Sequence, residues 1–152
     1  MARYSLADYI LTITLPTEFA SDLQLASNTI SVGGEGSHTE SISISTDNNI
    51  WSTEGDATGS WVHSKNLNRV GKASVSLSQL SENVAKFKKI CNVYYTSGTD
   101  YDGITLSLTD SLGNNIATCN DCYFTKVPSQ DFGSSAANQT WELTCGQITF
   151  NE

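Results

Sequence analysis

The stretch 60-SWVHSKNLNRVGKASVSLSQLSENVAKFKKI-90 changes its hydrophobic period near Leu80, and that change decides the fold. Ala73, Val75 and Leu77 alternate with Ser74, Ser76 and Ser78, the two-residue repeat of a strand with one apolar face and one face of hydroxyls. From Ser81, a helix-capping residue type, Val84, Phe87, Cys91 and Tyr94 recur at helical spacing with Ile90 beside them. Glu82, Lys86 and Lys89 fall on the other side, so the pattern predicts one amphipathic helix over residues 81–94 whose stripe packs on a sheet. Leu80, just ahead of the cap, can staple onto Val84 or Ala85 and fix the strand-to-helix corner. The serine stripe brings together no acids, bases or metal ligands. It reads as a surface that something slides past.

The same alternation runs through the chain. Tyr9, Leu11, Ile13 and Leu15 interleave with Ile10, Thr12 and Thr14; Ile42 and Ile44 sit between Ser41, Ser43 and Ser45; Ile104, Leu106 and Leu108 interleave with Thr105, Ser107 and Thr109. Two further strands are expected near residues 115–127 and 140–150, preceded by turns at Gly113-Asn114-Asn115 and 128–140. The fold class is mainly β: an antiparallel barrel or sandwich of six or more strands with one flanking helix, in a single domain spanning 1–152.

Eight Lys and Arg against sixteen Asp and Glu give a formal charge of −8. That balance argues against a protein that grips nucleic acid or an anionic membrane, but not against one that nucleic acid passes without sticking. No apolar run approaches the roughly 18 residues of a membrane helix. The opening MARYSLADYILTITLP lacks a small-residue cleavage site, so a mature cytosolic product is expected.

Of the four cysteines, Cys119 and Cys122 form a C-x-x-C, but Cys91 and Cys145 stand apart and His38 and His63 lie far upstream, which is not the spacing of a zinc site. Neither histidine has a carboxylate near it in a pattern that suits a hydrolytic triad. The expectation is therefore no catalytic residue, no metal and no cofactor. If the last two strands form a hairpin with its turn between Gly133 and Ser134, facing residues sum to 267 and Cys122 lies opposite Cys145. That pair, like Cys91 in the helix stripe, is expected to stay reduced in the core. Strand parity points Cys119 to the other face, where it is a candidate for a disulfide to a neighbouring subunit.

The segments 16–28 and 47–59 exceed common loop lengths and carry Phe19, Leu23, Leu25 and Trp51, apolar residues that suggest a partner surface.

In the order of its features the chain resembles the tail tube proteins of contractile-tailed bacteriophages. The resemblance rests on 4-YSLADYILTITLP-16, the glycine-rich 33-GGEG-36, the central 56–90 block where a polar hairpin and a Leu/Ser strand pass into a helix, and 122-CYFTKVP-128 followed by 141-WELTCGQI-148. It implies a β-barrel or sandwich subunit, six copies to a ring, and rings stacked into a hollow tube inside a contractile sheath. The protein would then be made in the bacterial cytoplasm and end in the virion tail. Its partners would be copies of itself, the sheath protein and DNA in transit, with no membrane. On that reading Ser41, Ser43, Ser45, Ser74, Ser76 and Ser78 line the lumen. Phe19, Leu23, Leu25, Trp51 and Asp56 are candidate contacts between rings, and two readings stand for Lys65, Arg69 and Lys72: pairing with a neighbouring subunit's acids, or solvation near a hairpin. The alternatives are a type VI secretion-like tube protein, or a carbohydrate-binding β-sandwich using Trp51, Trp61, Tyr94 and Tyr95.

Overall fold

The computed structural model of the chain describes residues 3–23, 27–34, 36–96 and 101–151. Strands β1 (Tyr9–Thr14), β2 (Thr29–Gly33), β3 (Thr39–Thr46), β4 (Trp51–Gly55), β5 (Trp61–Lys65), β6 (Gly71–Ser78), β7 (Ile104–Asp110), β8 (Asn115–Phe124) and β9 (Asn138–Phe150) are joined by helices α1 (Thr17–Asp22) and α2 (Asn83–Thr96). Seven strands form one antiparallel sheet in the order β2-β1-β7-β8-β9-β6-β3, and β4 pairs with β5 in a separate hairpin.

The alternation read from sequence is what makes this sheet two-faced. Leu11 and Ile13, Ala73, Val75 and Leu77, Ile104 and Leu106, and Trp141 and Leu143 are buried on one face. Helix α2 covers that face with Val84, Phe87, Ile90 and Cys91. At the centre Phe87 meets Phe124 at 5.1 Å and the edge of Trp141 at 5.5 Å between ring centroids, the offset and edge-on geometries that aromatic quadrupoles favour. Ser81 takes the capping place expected of it, its Oγ accepting from the Asn83 N–H at 3.4 Å, and α2 runs two residues past the expected 94.

The edge strands β2 and β3 are consecutive in the chain and joined by the short link 34–38, so the sheet curls until its edges share a seam. The seam is tied by Asn83, a buried side chain that donates to the Ser31 carbonyl of β2 at 3.1 Å, and by the Ser78 N–H, which donates to the His38 carbonyl at 3.0 Å.

Two expectations are corrected. Within segment 16–28, residues 16–23 are not an exposed partner loop: Pro16 leads into α1, and Phe19 is fully buried, 4.4 Å from the Tyr101 ring and 5.7 Å from Tyr94. Leu23 is buried as well, because α1 closes one end of the core; neither residue is available as a contact between rings, and Leu25 lies outside the described residues.

The second correction concerns Cys119. The β8–β9 register follows the expected sum, with Cys122 opposite Cys145 and Cys119 opposite Ile148. Parity nevertheless fails, because Asn120 and Asp121 on β8 are both exposed, as are Gly146 and Gln147 across from them on β9. Each strand carries one extra outward residue, and Asp121 takes φ 59°, so both strands change face together. Gly103 makes room for this kink: a Cβ there would lie 2.6 Å from the Asp121 Cα. Cys119 therefore returns to the core, fully buried in sulfur hydrogen-bond contact with Cys122 and Cys145. A fully buried thiol offers no sulfur to a neighbouring subunit.

Candidate assembly surfaces

The outward face of the sheet is built from rows of facing residues. In β3, β6 and β9 these rows are Ser43–Ser74–Glu142, Ser41–Ser76–Thr140 and Ser45–Lys72–Thr144, with Ser78 opposite Asn138. Residues opposite one another in an antiparallel pair project to the same side, so all six serines singled out from sequence share one face. Those of β3 are exposed and those of β6 half-buried. The hydroxyl character continues on the other side of the sheet, where Thr12 faces Ser107 and Ser107 faces Thr118.

Lys72 is the one cation in β3, β6 and β9, and its Nζ lies 3.9 Å from Glu142 Oε1. The lysine is thus matched inside its own subunit. Its two basic companions have other contacts: Arg69 donates to Thr149 Oγ1 at 3.5 Å, and Lys65 stands 5.6 Å from the Trp51 ring centroid. The face of β3, β6 and β9 thus carries hydroxyls and one solvent-exposed Lys–Glu pair.

The second surface is the β4–β5 hairpin. It is the continuation of the β3–β6 ribbon: after Thr46 opposite Gly71, the Asp47 N–H donates to the Val70 carbonyl at 3.0 Å and the Asn66 N–H to the Ile50 carbonyl at 2.7 Å, and pairing resumes at Trp51 opposite Lys65. Segment 47–59, expected to be a loop, is thus half of a projecting ribbon. Every residue of both hairpin strands is exposed. Trp51, Thr53, His63, Lys65 and Trp61 fall on one face, where Thr53 Oγ1 meets His63 Nδ1 at 2.8 Å.

Trp51 is 57% exposed, and Trp61, which sequence reasoning passed over as an assembly residue, is 68% exposed. The cross-strand spacing of the two tryptophans is the signal that would have found it. A lone two-stranded hairpin is marginal in water, and both tryptophans leave apolar surface exposed on this one. The tip is ordered by Asp56, whose Oδ1 accepts from the Thr58 N–H at 2.9 Å, the Thr58 hydroxyl at 2.6 Å and the Ser60 N–H at 3.0 Å. Those bonds, that of the Thr58 side chain first, hold its carboxyl below the usual carboxylate range.

The aromatics proposed for a sugar platform do not converge. Tyr94 packs on Phe19, with burial pushing its phenol well up, while Trp51 and Trp61 stand on the hairpin.

A curled antiparallel sheet with one flanking helix is an architecture this chain shares with chains of solved contractile injection systems. A structure of an extracellular contractile injection system, the PVC sheath-tube complex in its extended state, matches with a TM-score of 0.54 at 16% identity over 98% of this chain and 91% of that one. The PVC sheath/tube terminator matches at 0.55 and 15%, covering 100% and 99%, and a chain of the six-fold symmetrised anti-feeding prophage baseplate at 0.57 and 8%, covering 98% and 95%. At such identities these likenesses show the fold. No curated protein matches the sequence. The family is shown by the model of the bacteriophage PhiTE tail tube protein, which matches residues 1–151, and the chain belongs to that tail tube family.

Proposed function

We propose that this protein is the building block of a phage tail tube: copies close into rings of six, a number supported by the six-fold baseplate of the anti-feeding prophage, and rings stack into a hollow tube within a sheath. The observation that carries the reading is the two-faced sheet, with α2 on the apolar side and three strands of paired hydroxyls with one neutralised cation on the other. Turned inward, that face is a wall along which DNA slides during ejection, since phosphate finds no free cation to displace its counterions. Turned outward, α2 meets the sheath.

The hairpin supplies the contact between rings through Trp51, Trp61 and the Asp56 tip. The family supports a place in the virion tail; the reading adds assembly in the host cytoplasm and a role that needs positioned surfaces and no catalysis. Electron microscopy of the purified protein tests this. Hollow tubes or closed rings with six-fold symmetry are expected; monodisperse monomers at high concentration would overturn the reading, and tubes of another symmetry would overturn the ring number alone.

A further inference from the structure

The tube reading leaves the C-x-x-C of residues 119–122 without a role. In a regular strand, residues three apart are separated by roughly 10 Å and project to opposite faces. Here β7 sets a shorter frame: Ile104 faces Cys122 and Leu106 faces Cys119, so two steps of β7 span three of β8. The bulge draws the two cysteine Cα positions toward the roughly 6.6 Å of a two-residue step, within the separation of up to about 6.8 Å that a disulfide bridges. It also turns Asn120 and Asp121 outward, Asp121 at φ 59°, so both thiols enter the core and their sulfurs are in hydrogen-bond contact. We propose that Cys119 and Cys122 are an oxidation site, converted by a hydroperoxide into an intrachain disulfide that clips the bulge.

Three thiols meet here, and the geometry selects this pair. Cys145 lies directly opposite Cys122 on β9, but a bond between facing residues of an antiparallel ladder strains the torsion a disulfide prefers. The Cys145 thiol also turns along its own strand, donating to the Leu143 carbonyl at 3.9 Å. Cys119 is instead brought to Cys122 by a kink that is already formed and for which Gly103 leaves space. Hydrogen bonds from Cys122, then from Cys145, hold the Cys119 thiol below its ordinary value and make it the sulfur that reacts first.

The Cys119 sulfur attacks one peroxide oxygen; the O–O bond breaks, its electron pair leaves on the other oxygen, which takes the Cys119 proton, and Cys119 becomes a sulfenic acid. The Cys122 sulfur then attacks that sulfur, the S–S bond forms, and hydroxide departs and takes up the Cys122 proton as water. The two thiols lose two electrons, and the peroxide is reduced to an alcohol or, from hydrogen peroxide, to water. The thiols lie one backbone layer beneath the exposed steps Asn120–Asp121 and Gly146–Gln147, a depth that hydrogen peroxide, near water in size, crosses when the strand pair opens locally. The site stands independently of the tube reading; under that reading, oxidation comes when the particle leaves a reducing cytosol.

The test is a thiol map of the folded chain after hydrogen peroxide treatment, made by unfolding it in an alkylating reagent and digesting it with trypsin. Two of the four cysteines should escape alkylation, and the peptide 90–126, cut after Lys89 and Lys126, should carry a label on Cys91 alone and weigh two hydrogen atoms less than its thiol form. Cys145→Ala should form the same bond, and Cys122→Ala should leave on Cys119 a sulfenic acid that dimedone captures. The map of the parent chain decides even where a variant fails to fold. A bond joining peptide 90–126 to 127–152 would place the disulfide on Cys145. Four labelled thiols, or a sulfinic acid on Cys119 with no S–S bond, under peroxide that fully oxidises a free cysteine peptide in the same solution, would mean that no such site exists; each of these outcomes overturns the proposal.

Discussion

Gly71 begins β6, where it pairs with Thr46 of β3 and Cys145 of β9. A Cβ there would stand 2.1 Å from the Ser45 carbonyl oxygen and 2.9 Å from the Thr46 Cα, both backbone atoms that cannot swing aside. Gly71→Ala should therefore destabilise the subunit by about 1–3 kcal/mol, the usual cost of overpacking a closed site, read as a lower urea midpoint with an unchanged slope. Cys119 makes the opposite kind of prediction. Because Cys119, Cys122 and Cys145 are buried together with no solvent-accessible sulfur, alkylating reagents should label none of the three in the native protein within minutes. Oxidised tubes of the unmodified protein should run as a single monomer band, and a ladder lost in Cys119→Ser would contradict the burial of that residue. Cys91, which burial raises to about 11, should be equally inert.

At the scale of the element, the hairpin separates folding from assembly. Its strands contribute nothing to the core, so Trp51→Ser and Trp61→Ser should leave the thermal midpoint within about 2 °C, as exposed substitutions usually do, while raising the concentration needed for polymerisation at least tenfold. Unfolding of either variant would assign that tryptophan to the core instead. The tip also has a pH signature. The Asp56 pKa in the folded state lies below its ordinary 3.8, so the carboxylate's contribution to tip order is complete above that value and is lost as pH falls through the lower folded one. Amide exchange at Thr58 and Ser60 should quicken below pH 4 in the parent protein, and in Asp56→Asn it should be fast and nearly indifferent to this acid titration once intrinsic exchange is subtracted.

For the whole molecule, the prediction concerns the lumen. Ser43 and Ser74 are paired across β3 and β6, as are Ser41 and Ser76, so Ser43→Lys with Ser76→Lys places two unmatched cations on the hydroxyl face of every subunit. Tubes should form with normal morphology, and DNA ejection should slow several-fold in a salt-dependent way, because each ring would then exchange counterions with passing phosphate. Normal ejection from tubes of verified composition would mean that this face does not line the channel.

Much of this was legible in the chain. Alternation at 9–15, 41–45, 73–77 and 104–109 determined the strands and their faces, since side chains in a strand have a period of two regardless of what they pack against. The helix after Ser81 and the 267 register that sets Cys122 opposite Cys145 followed from equally local rules. What tertiary structure decided were the places where local rules meet a second segment. The kink at Asp121 reverses strand parity with Gly103 making room beside it, and so Cys119 is buried where alternation alone would expose it. The apolar residues of 16–23 read as a docking loop until α1 closes over the core, because burial is a property of the neighbours a residue acquires on folding. The hairpin, conversely, stays exposed despite two tryptophans, since the projecting ribbon carries it beyond the reach of its own core.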